Sequence, residues 1–467
     1  MNDITAFFAF LRYCLGYKGD MSSVVTGMDW QELYSFTSKQ ALQGLCFEGI
    51  ERLGEEYPEK LKQNPIGREL LMTWMGKAQQ IRRQNRKVNT VASKLFSMLR
   101  EDGLRCCVLK GQGNALMYPN PYSRTPGDID VWIDASRERI MEYAQNKFEL
   151  EDDIRLQHLE TSLDGVPIEL HFFPCSMNNP IYHARLQKWF RRNADLQCSH
   201  IVGLPDGAGD IAIPTTAFNV IYQLTHLYHH FFDEGIGMRQ IIDYFLVVND
   251  FSKNVFLDND LSNHPVPLSK EGSTFSPSPS SMVFTPPSVP PFPGDRNLRS
   301  GDVTAPSRCS EPLRSKDGGP SKVSPDCAGW DRLAIEEDNS AGSTTIVTSS
   351  VSTALVVVQR ELKYLGLWKF AGAVMYVLHE ALGLSEEKMI APMDEKRGKL
   401  LLAEILNGGN FGKHFTKYGH FTQQGMAKKY FLKIWRNMHF VRYYPAEALS
   451  EPIFRTWHFF WRLKHRR

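Results

Sequence analysis

Between about Phe251 and Ser352 the chain carries a stretch that rules out one continuous packed fold. Thirteen of the 26 prolines fall between Pro265 and Pro325, with Ser and Gly filling much of the remainder. Such a segment buries too little apolar surface to offset the entropy of ordering it, and a structureless loop of this length is foreign to a compact domain. We therefore expect a disordered Pro/Ser-rich insertion over 251–352, and folded units on either side of it. With 467 residues, 42% hydrophobic and 12% aromatic, the flanking parts can bury sizeable cores without staples.

Charge and cysteine usage exclude several classes. Fifty-four Lys plus Arg against 52 Asp plus Glu give a net charge of +2, so no global field demands a nucleic-acid partner. The eight cysteines form no C-x-x-C pair, which argues against a zinc knuckle or a disulfide framework. The first residues lack a basic n-region and Arg12 interrupts their apolar run. No later stretch stays apolar for roughly eighteen residues. These features together predict a cytoplasmic protein without a membrane span.

Periodicity divides the rest. Residues 1–100 read as a helical N-terminal region, with apolar residues at three- and four-residue spacing and a long amphipathic run from Glu69 to Arg100. Over 101–250 the pattern changes. Arg105 to Leu109 reads as a strand entering the turn Lys110-Gly111, Asn114 to Tyr118 as a helix, Ile129 to Ile133 as a buried strand and Ser136 to Phe148 as a helix. Arg155 to Leu163 and Val166 to Phe172 form a hairpin across Asp164-Gly165, a dipeptide suited to tight turns. Thr215 to Asn249 reads as two buried helices broken at Gly235-Ile236-Gly237. From 353 to 467 the helical pattern returns, with one helix expected over Glu361 to Gly383, kinked near Gly366.

The chemistry concentrates in Gly127-Asp128-Ile129-Asp130. Two carboxylates one residue apart on a strand point to the same face, where they can share a hard cation such as Mg²⁺ together with substrate phosphates. Asp130 stands in an apolar run, where an unpaired charge is costly and marks a site. Glu169, an acid inside Val166 to His171, is the candidate third carboxylate; the alternative is an acid on a solvated edge strand, which Pro167 would suit. Upstream, Lys110-Gly111-Gln112-Gly113-Asn114 leads into a helix, where backbone N–H groups favour phosphate.

This arrangement resembles the DNA polymerase β-like nucleotidyltransferase superfamily. Leu109-Lys110-Gly111, Tyr118-Pro119, Arg124, Gly127 to Asp130, Ile168 to His171, Gly235 to Gln240 with Asp243, and Gly408 to Gly412 are similar to the bacterial uncharacterised nucleotidyltransferase family within it. The resemblance implies an α+β fold: a small mixed β-sheet core with flanking helices and a mostly helical C-terminal region. It implies two Mg²⁺ ions, with Mn²⁺ as the alternative, and transfer of a nucleoside monophosphate from an NTP with release of pyrophosphate. Metal binding and catalysis would fall to Asp128, Asp130 and Glu169. Backbone at Gly111 and Gly113 would approach the triphosphate. Lys110, Asn114, Arg124 and Arg239 are the further nucleotide-binding candidates, although a strand-end lysine and a loop arginine also have plain structural readings. The acceptor is a small molecule, protein or RNA. A different class, a non-catalytic nucleotide-binding or scaffold protein linked to surface polysaccharide assembly, stays open.

Two further clusters need weighing. His226 and His230 share a helix face, but no Glu lies between them as in zinc-protease motifs, so hydrogen-bonded core histidines are the preferred reading. Arg239 and Asp243, one helical turn apart, are expected to pair along a cleft wall, with nucleotide contact by Arg239 as the alternative. From Lys428 to Arg467 aromatics interleave with basic residues; a packed terminal helix is preferred over a nucleic-acid or membrane-surface contact.

Overall fold

A computed structural model of the chain describes residues 4–150, 155–262, 349–412 and 426–465, so most of the insertion expected over 251–352 lies outside the described residues. Six helices come first: α1 (Ile4–Cys14), α2 (Ser22–Gly27), α3 (Trp30–Lys39), α4 (Gln43–Glu56), α5 (Pro58–Gln63) and the long α6 (Arg68–Glu101). Then follow β1 (Cys106–Leu109), the short α7 (Gly111–Ala115), β2 (Ile129–Ile133), α8 (Arg137–Lys147), β3 (His158–Leu163), β4 (Val166–His171) and α9 (Pro180–Ser199). A ribbon of β5 (Ile201–Gly203) and β6 (Asp210–Ala212) leads to α10 (Thr216–Asp233) and α11 (Met238–Ser262). The C-terminal part holds α12 (Ser349–Tyr364), α13 (Trp368–Leu382), α14 (Glu395–Gly408), α15 (Met426–Met438) and α16 (Pro445–His465). The fold is α+β, as expected, and Met1–His264 with Ile346–Arg467 forms one compact unit.

The main sheet has the order β1-β2-β4-β3 and is mixed: β2 runs antiparallel to β1 and parallel to β4, and β3 closes the edge antiparallel to β4. Its two faces differ because side chains alternate along each strand. Cys106, Val108, Ile129, Val131, Ile133, Leu159, Val166, Ile168 and Leu170 all enter one core layer. Beneath them α6 presents Val88, Val91, Ala92, Leu95, Phe96 and Leu99, the three-and-four spacing that makes one apolar stripe. Each such branched or aromatic side chain contributes about 1.5–3 kcal/mol on full burial.

The opposite face must then carry the alternate residues: Asp130 and Trp132 of β2, Glu169 and His171 of β4, and His158 of β3. Trp132 is covered by α9 and α10, with Phe218 stacked 6.2 Å away and Trp189 stacked on Phe218 at 4.5 Å. The acids lie toward the end of the sheet beyond this aromatic cover.

Two local expectations change. The helix expected over Asn114 to Tyr118 lies earlier, as α7. The helix expected over Glu361 to Gly383 is two helices rather than a kinked one. Gly366 takes φ +76° between α12 and α13, a left-handed backbone that ends the first helix, and a Cβ there would stand 2.6 Å from the Tyr182 ring, so the position needs glycine. Among the described residues no helix is long and apolar enough to cross a membrane.

α16 docks by charge. Glu447, fully buried, accepts from the backbone N–H groups of Asn178 (2.5 Å) and Asn179 (3.2 Å), and Arg455 pairs with Asp233 at 2.9 Å.

Candidate active site

Register brings the acids together. In the parallel pair of β2 and β4, Asp130 stands directly opposite Glu169, so two carboxylates from segments far apart in sequence are neighbours on one face. Asp128 just precedes β2, has the parity of Asp130 and is exposed at the mouth of the same cleft. Asp130 itself is buried, 3% exposed.

β1 supplies the nearest cation. Leu109 pairs with Asp130, and the chain then turns through positive φ at Lys110 (+50°) and Gly111 (+45°), a costly conformation for a lysine. The Lys110 ammonium lies 2.8 Å from Asp130 Oδ1 and 2.8 Å from His226 Nε2. Burial and the Lys110 charge hold His226 well below its ordinary pKa, so its neutral Nε2 accepts from the ammonium. His230 Nε2 lies 3.1 Å from that same nitrogen.

His171 is the bridge within the cluster. Its Nε2 lies 3.1 Å from Asp130 Oδ1 and 3.0 Å from Glu169 Oε2. Burial opposes its charge, but the hydrogen bonds to both acids prevail and raise it to about 9. Burial likewise works against Asp130 and Glu169. The Lys110 charge and the His171 hydrogen bond nevertheless leave Asp130 well below the usual carboxylate range, and the His171 hydrogen bond brings Glu169 below its own. Asp128 behaves in the opposite way: the Asp130 charge, then the partial desolvation of its carboxylate where it faces the cleft, push it up to about 6, although the residue as a whole is exposed.

The cleft wall is built by the segment after α7. Asn85 of α6 donates to the carbonyls of Tyr122 (3.0 Å) and Arg124 (2.7 Å), fixing the loop that leads to Asp128. Arg124 then meets Asp243 of α11 in a bidentate pair, both contacts 2.8 Å, and Tyr118 donates to the same carboxylate at 2.8 Å. The pairing expected between Arg239 and Asp243 is therefore made by Arg124. Arg239 instead donates to the Thr125 carbonyl at 3.0 Å and stands over the Phe411 ring at 5.5 Å, while its buried Nε has no hydrogen-bond partner. Gly237 explains how Phe411 arrives: a Cβ at 237 would lie 2.7 Å from the Asn410 Cα, so only glycine admits that backbone.

Lys110, Gly111, Arg124, Asp128, Asp130 and Arg239 thus line one cleft, with Glu169 paired to Asp130 behind it. Gly113 and Asn114 do not join them. They line a separate cavity on the far side of α7, where Asn114 Oδ1 accepts from Asn219 (3.3 Å) and Gln223 (2.8 Å). Gln112 is likewise engaged, by Asn89. Sequence reasoning overlooked His171, although an acid and a histidine two apart in Glu169-Leu170-His171 already place both on one strand face. It also overlooked Phe411, for which Gly408 to Gly412 was the signal.

A comparison with known families finds one described as "Uncharacterised nucleotidyltransferase" matching residues 26–262, just over half of the chain. No curated protein and no solved structure matches it.

Proposed function

The chain belongs to the uncharacterised nucleotidyltransferase family, and from that premise we propose that it transfers a nucleoside monophosphate from an NTP to an acceptor, releasing pyrophosphate. The observation that carries this reading is the register of Asp130 against Glu169, with Asp128 of matching parity at the cleft mouth. The donor set suits hard cations. All three side chains offer carboxylate oxygens, and the Asp130 charge pushes Asp128 up to about 6, a repulsion that a cation would relieve. Two Mg²⁺ ions held by Asp128, Asp130 and Glu169 would neutralise triphosphate charge and stabilise the attacking and leaving oxygens.

The chain's own residues would do the rest. Lys110, free to swing its ammonium from Asp130 to a phosphate oxygen, screens the nucleotide's charge. Arg239 presents a guanidinium with an unused N–H at the cleft. Glu169, kept ionised by His171, is the group available to take the acceptor's proton. Arg124, locked by Asp243, shapes the wall rather than reaching for phosphate.

Incubating full-length protein with each labelled NTP, Mg²⁺ and cell extract tests this. Asp128→Asn and Asp130→Asn should lower label transfer by on the order of 10³-fold, as loss of one preorganised electrostatic group commonly does. Equal transfer by wild type and both variants would remove the assignment. A second reading, a non-catalytic nucleotide-binding or scaffold protein, draws on the Lys110 ammonium seated on Asp130, where it could stand in for a metal. NTP binding by calorimetry that is unchanged by Mg²⁺ removal and by Asp128→Asn would favour it.

A further inference from the structure

Behind the carboxylates, the sheet assembles a second donor set of different chemistry. β3 and β4 place His158 directly opposite His171, with their ring centroids 4.9 Å apart, and Glu169 lies two residues before His171 on the same face. One donor atom from each of His158, Glu169 and His171 falls within 4.8 Å of the others. Glu169 Oε2 is 3.0 Å from His171 Nε2 and 3.4 Å from His158 Nδ1. Ligand bonds of about 2.0–2.2 Å arranged tetrahedrally round one ion put donors roughly 3.3–3.6 Å apart, so the two distances to Glu169 are already close to those of a coordination shell, and the two imidazoles, within 4.8 Å, would close on the ion by rotating their rings.

Two facts show that hydrogen bonding alone does not account for it. His158 is 9% exposed, and although its Nδ1 lies 3.4 Å from Glu169 Oε2 and its Nε2 3.5 Å from Glu160 Oε1, neither nitrogen makes a hydrogen bond, a costly condition for a buried imidazole. His171 Nε2 is in turn approached by two carboxylates at once, while a single N–H can point well at only one.

We propose that His158, Glu169 and His171 bind a divalent transition-metal ion of the Zn²⁺, Mn²⁺ or Co²⁺ type, beside the oxygen-only position at Asp128 and Asp130. Imidazole nitrogen suits borderline ions, whereas Mg²⁺ takes oxygen. Three protein ligands leave a position open, the arrangement of catalytic rather than structural sites. The open side has somewhere to face: His158 also lines a cavity of about 170 Å³ with Ser176, Asn178, His229 and Arg455. The inference shares Glu169 with the nucleotidyl-transfer reading and rests on it for what the ion would serve, but the site stands on the two imidazoles.

The test is spectroscopic. Metal-stripped full-length protein is loaded with one equivalent of Mn²⁺ in excess Mg²⁺, and pulsed electron paramagnetic resonance reads nitrogen coupling to the manganese. Wild type and Asp128→Asn should both show two imidazole nitrogens. His158→Gln and His171→Gln should each lose one and bind Mn²⁺ on the order of 100-fold more weakly, since losing even a partner that only orients a ligand costs about 10–100-fold. Circular dichroism checks that the variants fold, and the wild-type spectrum decides without any variant. Absence of nitrogen coupling in wild type, or coupling unchanged in both histidine variants, would overturn the site. Because no turnover is measured, that failure is separate from failure of the transfer assay. Transfer lost in Asp128→Asn with no nitrogen coupling in wild type sinks only the metal site.

Discussion

Arg124 with Asp243 and the trio of Asp128, Asp130 and Glu169 line or back one cleft, and the fold treats their charges in opposite ways. In the first group every strong hydrogen-bonding need is met. A guanidinium faces a carboxylate bidentately, Tyr118 supplies a third donor, and the two charges cancel while 5% or so exposed. In the second, three carboxylates face one ammonium and one imidazole that is charged only when protonated. Lys110 and His171 hold Asp130 down and His171 holds Glu169 down, while the Asp130 charge pushes Asp128 up to about 6. A sequence shaped for stability alone would neutralise both groups. Leaving one short of positive charge is what a site for a cation or for cation-bound phosphate requires, and local departures from the rules of stability are expected where function resides.

The largest effect that would test this contrast falls on the neutralised group. Asp243→Ala leaves the Arg124 guanidinium buried without its partner, and stranding one member of a buried pair costs about 3–5 kcal/mol. Urea unfolding should show that loss, whereas Asp128→Ala, which removes the acid of the trio that the Asp130 charge disfavours, should cost much less. Equal losses would mean that the two groups are built alike.

A middle-sized effect concerns His171, the member of the open group that the fold does charge. Its raised value, about 9 against an ordinary 6.5, means that the folded state holds the proton more tightly than the unfolded chain. Its stabilisation is then fully present below about pH 6.5 and is lost as pH rises through about 9. The difference in unfolding free energy between wild type and His171→Gln should be on the order of 2 kcal/mol at pH 6 and shrink toward pH 10. A difference independent of pH would show that the imidazole acts by packing alone.

How much of this could be read beforehand follows from the range of each interaction. The strands, the Asp164-Gly165 hairpin and the split of Thr215 to Asn249 at Gly235 to Gly237 depend on neighbouring residues, and side-chain alternation gives Asp128 and Asp130 the same parity. That Glu169 would lie opposite Asp130 needed β2 and β4 to pair in parallel with β3 outside them, which no local pattern dictates. Asp243 looked like a partner for Arg239 because both lie on one helix. The competing partner, Arg124, comes from a loop that Asn85 fixes, and only the three-dimensional arrangement shows it. Gly113 and Asn114 matched the motif in spacing, yet a five-residue helix turns them to its far side. Phe411 belongs to a part of the chain beyond the matched residues 26–262 and reaches the cleft through the close approach at Gly237.

The smallest effect is the one whose sign is most telling. Asp128 in the folded, metal-free protein ionises near pH 6, above its ordinary 3.8, so the folded state prefers it protonated and ionisation weakens the fold as pH rises through that window. Asp128→Asn removes the cost. The metal-free variant should melt slightly above wild type beyond pH 6 and match it below about pH 4, the standard range for a carboxylate. Because Asp128 is exposed to water, screening keeps the difference below about 1 kcal/mol. Adding Mg²⁺ should reverse the order, since an ion that binds only the folded state stabilises the protein able to hold it. Thermal melts of both proteins with and without Mg²⁺ measure all four corners. A wild type more stable than Asp128→Asn in the absence of metal would place Asp128 with Asp243, as a charge the fold has already satisfied.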